Sequence, residues 1–105
     1  MNARLTLDGE HVPSAGILVL NWNGQDLLRR YLPSVGAAAR HSGIPVAVAD
    51  NGSSDGSLEL LAREFPDVAV LPLGRNFGFG GGYNRAIAQV SWDVVILLNN
   101  DMLVP

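Results

Sequence analysis

Four short polar clusters hold the residue types that could do chemistry: Asn21-Trp22-Asn23, Asp50-Asn51-Gly52, Gly74-Arg75-Asn76 and Asn99-Asn100-Asp101. A hard divalent cation takes oxygen ligands, and Mg²⁺ commonly uses one or two carboxylates while substrate phosphates complete its shell. Asp101, preceded by two amides, suits such an ion held against a diphosphate. Asp50 opens the stretch DNGSSDGS, where an acid at a strand end can accept a hydrogen bond from the ring N–H of a pyrimidine. In that stretch Asp55 and the serines read as caps of the next helix. The stretch RNFGFGGGYNRA (75–86) has glycine at four of the five positions 78–82. Glycine there permits positive φ and close backbone approach, and a helix N-terminus that follows favours an anionic phosphate. Any one cluster also reads as the ordinary start of a loop. The four together point to a site.

Positioning them requires strands that end on one rim. Four apolar runs do so: GILVLN (16–21), PVAVAD (45–50), DVAVLPL (67–73) and DVVILLN (93–99). Each lacks polar alternation, as expected of strands buried on both faces of a parallel sheet. Helical stretches separate them. Residues 24–43 carry Leu27, Leu28, Tyr31, Leu32 and Val35 on one face, with a kink or break predicted at Pro33 and a stop at Gly43 and Pro45. Residues 55–67 open on Asp55 as N-cap and close before Pro66, and 81–92 form a third helix with Tyr83, Ile87 and Val90. Strand alternating with helix is the grammar of an open parallel α/β sheet with right-handed crossovers, and ligands of such sheets sit beyond the carboxyl ends of the strands. The first strand is expected between the second and the fourth. Residues 1–15 read as a loose lead-in.

Bulk properties exclude several classes. The 105 residues are 48% hydrophobic and 16% charged, which fits one packed domain or part of one. A net charge of −3, with seven scattered arginines and no lysine, argues against a nucleic-acid binder. The absence of cysteine excludes disulfides, thiolate nucleophiles and Cys-ligated zinc. His11 and His41 lack a second ligand at metal spacing and read as exposed or locally bonded imidazoles. No apolar run approaches the roughly 20 residues needed to span a bilayer. A cytoplasmic protein is expected, peripheral at most at the inner face of a membrane.

With these residues assembled, the chain resembles the N-terminal, donor-binding half of a family 2 glycosyltransferase of the GT-A fold, a three-layer α/β sandwich with a Rossmann-like parallel sheet. The resemblance rests on ILVLNWNG, VADNGSSDGS, LGRNFGFGGGYNRAI and VILLNNDMLVP, in that order, over about residues 16–105. NWNG with NFGFGGGYN and LNND is most similar to the rhamnosyltransferase-like branch. It implies inverting transfer from a nucleotide-diphosphate sugar, dTDP-rhamnose being one such donor, to a glycan or lipid-linked acceptor in cell-wall or polysaccharide synthesis. By this likeness Asn21, Trp22, Asn23 and Asp50 contact the nucleoside, and Asn76 and Asn84 flank the glycine loop near the donor. Asn99, Asn100 and Asp101 stand at the family's metal-binding D-x-D position, with Asp101 the single charged ligand of Mg²⁺ or Mn²⁺ because Asn99 replaces the first acid. The general base is expected after residue 105, so the 105 residues alone are expected to be inactive. Two alternatives stay open: a dinucleotide-binding Rossmann module, whose G-x-G-x-x-G pattern is broken by Tyr83, and a GT-A-like relative that does not catalyse.

Overall fold

The computed structural model describes residues 4–5 and 11–105. Two short strands, β1 (Arg4–Leu5) and β2 (His11–Val12), pair antiparallel, so the segment expected to be a loose lead-in carries a small hairpin-like pair. The main sheet follows with β3 (Ala15–Asn21), β4 (Val46–Asp50), β5 (Ala69–Pro72) and β6 (Val94–Asn99). Its order is β5-β4-β3-β6 and every pairing is parallel, which places the first long strand between the second and the fourth as expected.

Helices α1 (Gln25–Ser42) and α2 (Ser57–Glu64) cover one face, and α3 (Gly78–Ile87) covers the other. On the first face Leu28, Leu32, Val35 and Ala39 of α1 and Leu60 and Leu61 of α2 meet Ile17, Val19, Val46 and Val48. On the second, Tyr83 and Ala86 meet Leu18, Ala47 and Ala49. Alternate residues of β3 and β4 thus serve opposite faces, which is why these two strands read as unbroken apolar runs.

Four expectations need correction. Helix α1 runs through Pro33 without a break. Its buried stripe holds both halves on the sheet, and the Ser34 hydroxyl donates to the Tyr31 carbonyl at 2.9 Å in the turn the proline disturbs. Leu27 is off the buried stripe, at 38% exposed. The outer strands are not buried on both faces: β5 is half-exposed, and β6 leaves Val94, Ile96 and Leu97 at 40–48% exposed, since each has a neighbour on one side only. Helix α3 starts at Gly78, three residues before the expected 81, and ends at Ile87, leaving Val90 outside it.

That early start has a local cause. The side-chain oxygens of Asn51 and Asn76 accept the N–H groups of Phe77 (3.0 Å) and Gly78 (2.7 Å), satisfying donors that have no partner inside the helix. Gly78 takes a φ of +78°, open to glycine without strain.

Candidate functional site

Parallel register brings the strand ends together. Asn21 stands opposite Asp50, and Leu20 opposite Asn99, so residues far apart in the chain share one rim. Beyond that rim lies an open cavity of about 380 Å³, lined by Leu20, Trp22, Asn51, Asn76, Gly78, Phe79, Asn99, Asn100 and Asp101. Five of these are residues singled out in the sequence: Trp22, Asn76, Asn99, Asn100 and Asp101. Asp101 is exposed and is the only acid on the wall.

Two exposed rings flank the amides. Trp22 is 53% and Phe79 is 68% exposed. Phe79 is held edge-on by Tyr83, with ring centres 5.1 Å apart, and the Tyr83 hydroxyl donates to the Leu98 carbonyl at 2.9 Å. Burial raises the Tyr83 phenol above its ordinary value of 10.0, so it stays a neutral anchor. Tyr83 occupies the place where a dinucleotide fingerprint needs a small residue, and here it forms part of the core.

Four singled-out residues stand off the cavity wall. Asn84 is exposed on α3. Asn21 is fully buried and Asp50 is 2% exposed. Asn21 Nδ2 donates to Asp50 Oδ1 (3.1 Å), and Asn100 Nδ2 donates to Asn21 Oδ1 (2.9 Å). Asp50 also accepts the Ser53 hydroxyl on Oδ1 (2.6 Å) and the Ser53 N–H on Oδ2 (2.9 Å). Three donors and near-complete burial thus hold this carboxylate away from the cavity wall. Asn23, at a φ of 48°, accepts the N–H groups of Ser54 (2.7 Å) and Asp55 (3.2 Å) and so ties the first loop to the second.

Asp55 completes that tie. Its carboxylate accepts the N–H of Gln25, the first residue of α1, and the N–H and hydroxyl of Ser57, the first residue of α2. The cap position itself is Gly56, one residue later than expected, and Gln25 returns a bond by accepting the Gly56 N–H at 3.1 Å. Burial acts to raise the Asp55 carboxyl, but the bonds from Ser57 and Gln25 outweigh it and hold the group below its ordinary 3.8.

Sequence reading missed Leu20, Asn51, Gly78 and Phe79 as wall residues. Asn51 had a signal, since it lies within the second polar cluster. Its amide bridges to Asn76 Oδ1 (3.3 Å) and the Gly78 carbonyl (3.0 Å), which holds the glycine loop over the rim. Phe79 had none, because it lay in the glycine-rich stretch ahead of the expected helix and carries no polar group to mark it.

The arrangement suits a polyanionic ligand with a flat ring. Neutral amides donate to oxygens without adding charge, one carboxylate leaves room for a shared cation, and the rings offer stacking faces. Among the described residues no group of three or more acidic, His or Cys side chains gathers to hold a metal by itself. This fits an ion that draws most of its oxygen ligands from a diphosphate.

Comparison with known proteins agrees. The family model "Glycosyl transferase family 2" matches residues 16–105. An N-acetylglucosaminyl-diphospho-decaprenol L-rhamnosyltransferase of Mycobacterium tuberculosis is 41% identical over 63 residues, covering 60% of this chain and 20% of the relative. An undecaprenyl-phosphate 4-deoxy-4-formamido-L-arabinose transferase of Yersinia enterocolitica is 32% identical over 105 residues, covering 93% of this chain and 32% of that one. The chain therefore spans between a fifth and a third of the length of these two relatives. Among solved structures, the mannosyltransferase PcManGT of Pyrobaculum calidifontis in complex with GDP-Man and Mn²⁺ superposes with a TM-score of 0.74 at 21% identity, over 89% of this chain and 29% of its own. That likeness shows the α/β fold to be of the GT-A type. The strand order, the rim of amides around a single acid and a family match over nearly the whole chain agree: this chain belongs to glycosyl transferase family 2.

Proposed function

We propose that residues 16–105 bind the donor of an inverting glycosyltransferase, a nucleotide-diphosphate sugar whose glycosyl group passes to an acceptor hydroxyl. One observation carries this reading: polar segments far apart in the chain converge on one cavity whose wall holds a single acid, four amides and two exposed aromatic rings. At about 380 Å³ the space is of the size expected for a small-molecule pocket. In this reading Trp22 and Phe79 hold the base or sugar by stacking, and Asn51, Asn76, Asn99 and Asn100 bond to hydroxyl and phosphate oxygens. Asp101 holds the cation.

Mg²⁺ or Mn²⁺ bound there would neutralise the charge that grows on the leaving diphosphate. The PcManGT complex with GDP-Man and Mn²⁺ supports this pairing of metal and nucleotide sugar. The M. tuberculosis relative supports a deoxyhexosyl donor such as dTDP-rhamnose and a lipid-linked acceptor. Such an acceptor would bring the protein to the inner face of a membrane, although no helix among the described residues is long and apolar enough to cross one. We assign the base that deprotonates the acceptor to a segment outside residues 1–105.

Calorimetric titration with UDP, GDP and dTDP, each with and without Mn²⁺, tests the site. Asp101→Ala should remove the Mn²⁺-dependent part of the affinity and leave the weak metal-free binding and the melting temperature unchanged, since Asp101 is exposed. Undiminished Mn²⁺-dependent binding in that variant would overturn the reading.

A further inference from the structure

Asp50 is buried and off the wall of this cavity, yet bonds through Asn21 join it to Asn100, which is on that wall. The chain of bonds from Asp50 through Asn21 to Asn100 has a direction, because an ionised carboxylate only accepts. Ser53 supplies two donors to Asp50, and the Asn21 amide must turn its NH₂ toward Asp50 Oδ1 to add a third. That leaves Asn21 Oδ1 facing Asn100, where it can only accept, and Asn100 Nδ2 donates to it at 2.9 Å. Packing marks the same side of the Asn100 amide: a Cβ added at Gly24 would lie 2.3 Å from its Nδ2 but 3.5 Å from its Cγ. The Asn100 oxygen is therefore on the far side of the amide, on a residue that lines the cavity next to Asp101.

We infer that Asp50, acting through Asn21, orients Asn100 to present oxygen instead of NH₂ to the cavity beside Asp101. Oxygen is the atom a hard divalent cation accepts, and an NH₂ group in its place would repel the ion. Asp50 and Asn21 are thus positioning residues that build a second oxygen ligand from a neutral side chain. The arrangement offsets the loss of the first acid at Asn99. The inference rests on the proposed reading of Asp101 as the cation ligand.

The direction of the relay can be reversed on purpose. In Asp50→Asn the Ser53 N–H still demands an oxygen where Oδ2 was, so the new NH₂ faces Asn21. Asn21 must then turn over, and Asn100 with it, bringing nitrogen to the cavity. Adding Asn100→Asp restores the pattern. The new carboxylate accepts from Asn21, Asn21 accepts from the new amide, and a carboxylate oxygen again faces the cavity. Net charge is the same as in the parent.

The experiment measures free Mn²⁺ by electron paramagnetic resonance in the full polypeptide, alone and with UDP, GDP or dTDP, with a thermal melt of each variant. Asp50→Asn should weaken Mn²⁺ binding by about 10–100-fold, the range for partners that orient a metal ligand, and the double variant should restore it. Equal losses in the single and double variants, or an unchanged affinity in Asp50→Asn while Asp101→Ala loses it, would overturn the relay and leave the site standing. If Asp50→Asn melts below the assay temperature, the double variant decides alone: affinity within about threefold of the parent supports the relay, and a loss of about tenfold or more overturns it. No Mn²⁺ binding in the parent, or full binding in Asp101→Ala, would remove the site and the relay with it.

Discussion

Gly82 and Gly80 look alike in the sequence and differ in the fold. A Cβ at Gly82 would lie 2.8 Å from Asn51 Nδ2 and 2.9 Å from Leu20 Cδ1, so any side chain there must push the Asn51 amide or the Leu20 methyl aside. Gly82→Ala should cost about 1–3 kcal/mol, the usual penalty for overpacking, read by urea unfolding. At Gly80 nothing lies within 4 Å, and Gly80→Ala should be neutral or gain up to about 1 kcal/mol from helix propensity. Equal effects at the two positions would refute the packing account. Trp22 makes the complementary case. Half of it is exposed, so Trp22→Ala should leave the melting temperature in place while weakening metal-free nucleotide binding by about 1–3 kcal/mol, the range for a lost stacking face.

At the scale of elements, Asp55 joins the N-termini of α1 and α2 and so binds two crossovers to each other. Its removal should cost about 0.5–2 kcal/mol, as for other lost helix caps. The pH dependence follows from the lowered carboxyl. In the folded protein Asp55 stays ionised to lower pH than in the unfolded chain, so its contribution is full above the ordinary 3.8 and is lost as pH falls through the folded value. The stability gap between the parent and Asp55→Ala, measured by urea unfolding, should therefore be widest at neutral pH and shrink in acid. A gap that grows in acid would show that the cap is not acting through charge.

At the scale of the whole molecule, β6 forms one edge of the sheet, and apolar side chains on both of its faces are exposed. Val94, Ile96 and Leu97 are each 40–48% exposed, and Met102 and Leu103 just beyond are 44% and 69% exposed. An unpaired apolar edge invites pairing with another chain. The 105-residue polypeptide should therefore associate as its concentration rises, by light scattering, and Leu97→Lys should suppress this without lowering the melting temperature. A parent that stays monomeric at every concentration would contradict it.

Local pattern was enough to determine the type and order of the elements from β3 to β6. Continuous β-branched runs and the helical stripe of Leu28, Leu32 and Val35 follow from side-chain periodicity, which depends only on near neighbours in the chain. The same holds for the polar strand ends and for Asp101, whose position just past an apolar run places it on the rim. Tertiary structure decided which strand-end residues face the cavity. Asn21 and Asp50 stand opposite each other in register on the two central strands, so their side chains satisfy one another under cover. Asn99 ends an edge strand, Asn100 follows it in the turn, and both line the cavity. Phe79 became a wall residue as α3 begins early, on bonds from Asn51 in another segment and from Asn76 just ahead of the helix. Whether a polar group meets solvent, a ligand or a partner is settled by distances across the sheet, and those distances exist only once the strands have paired.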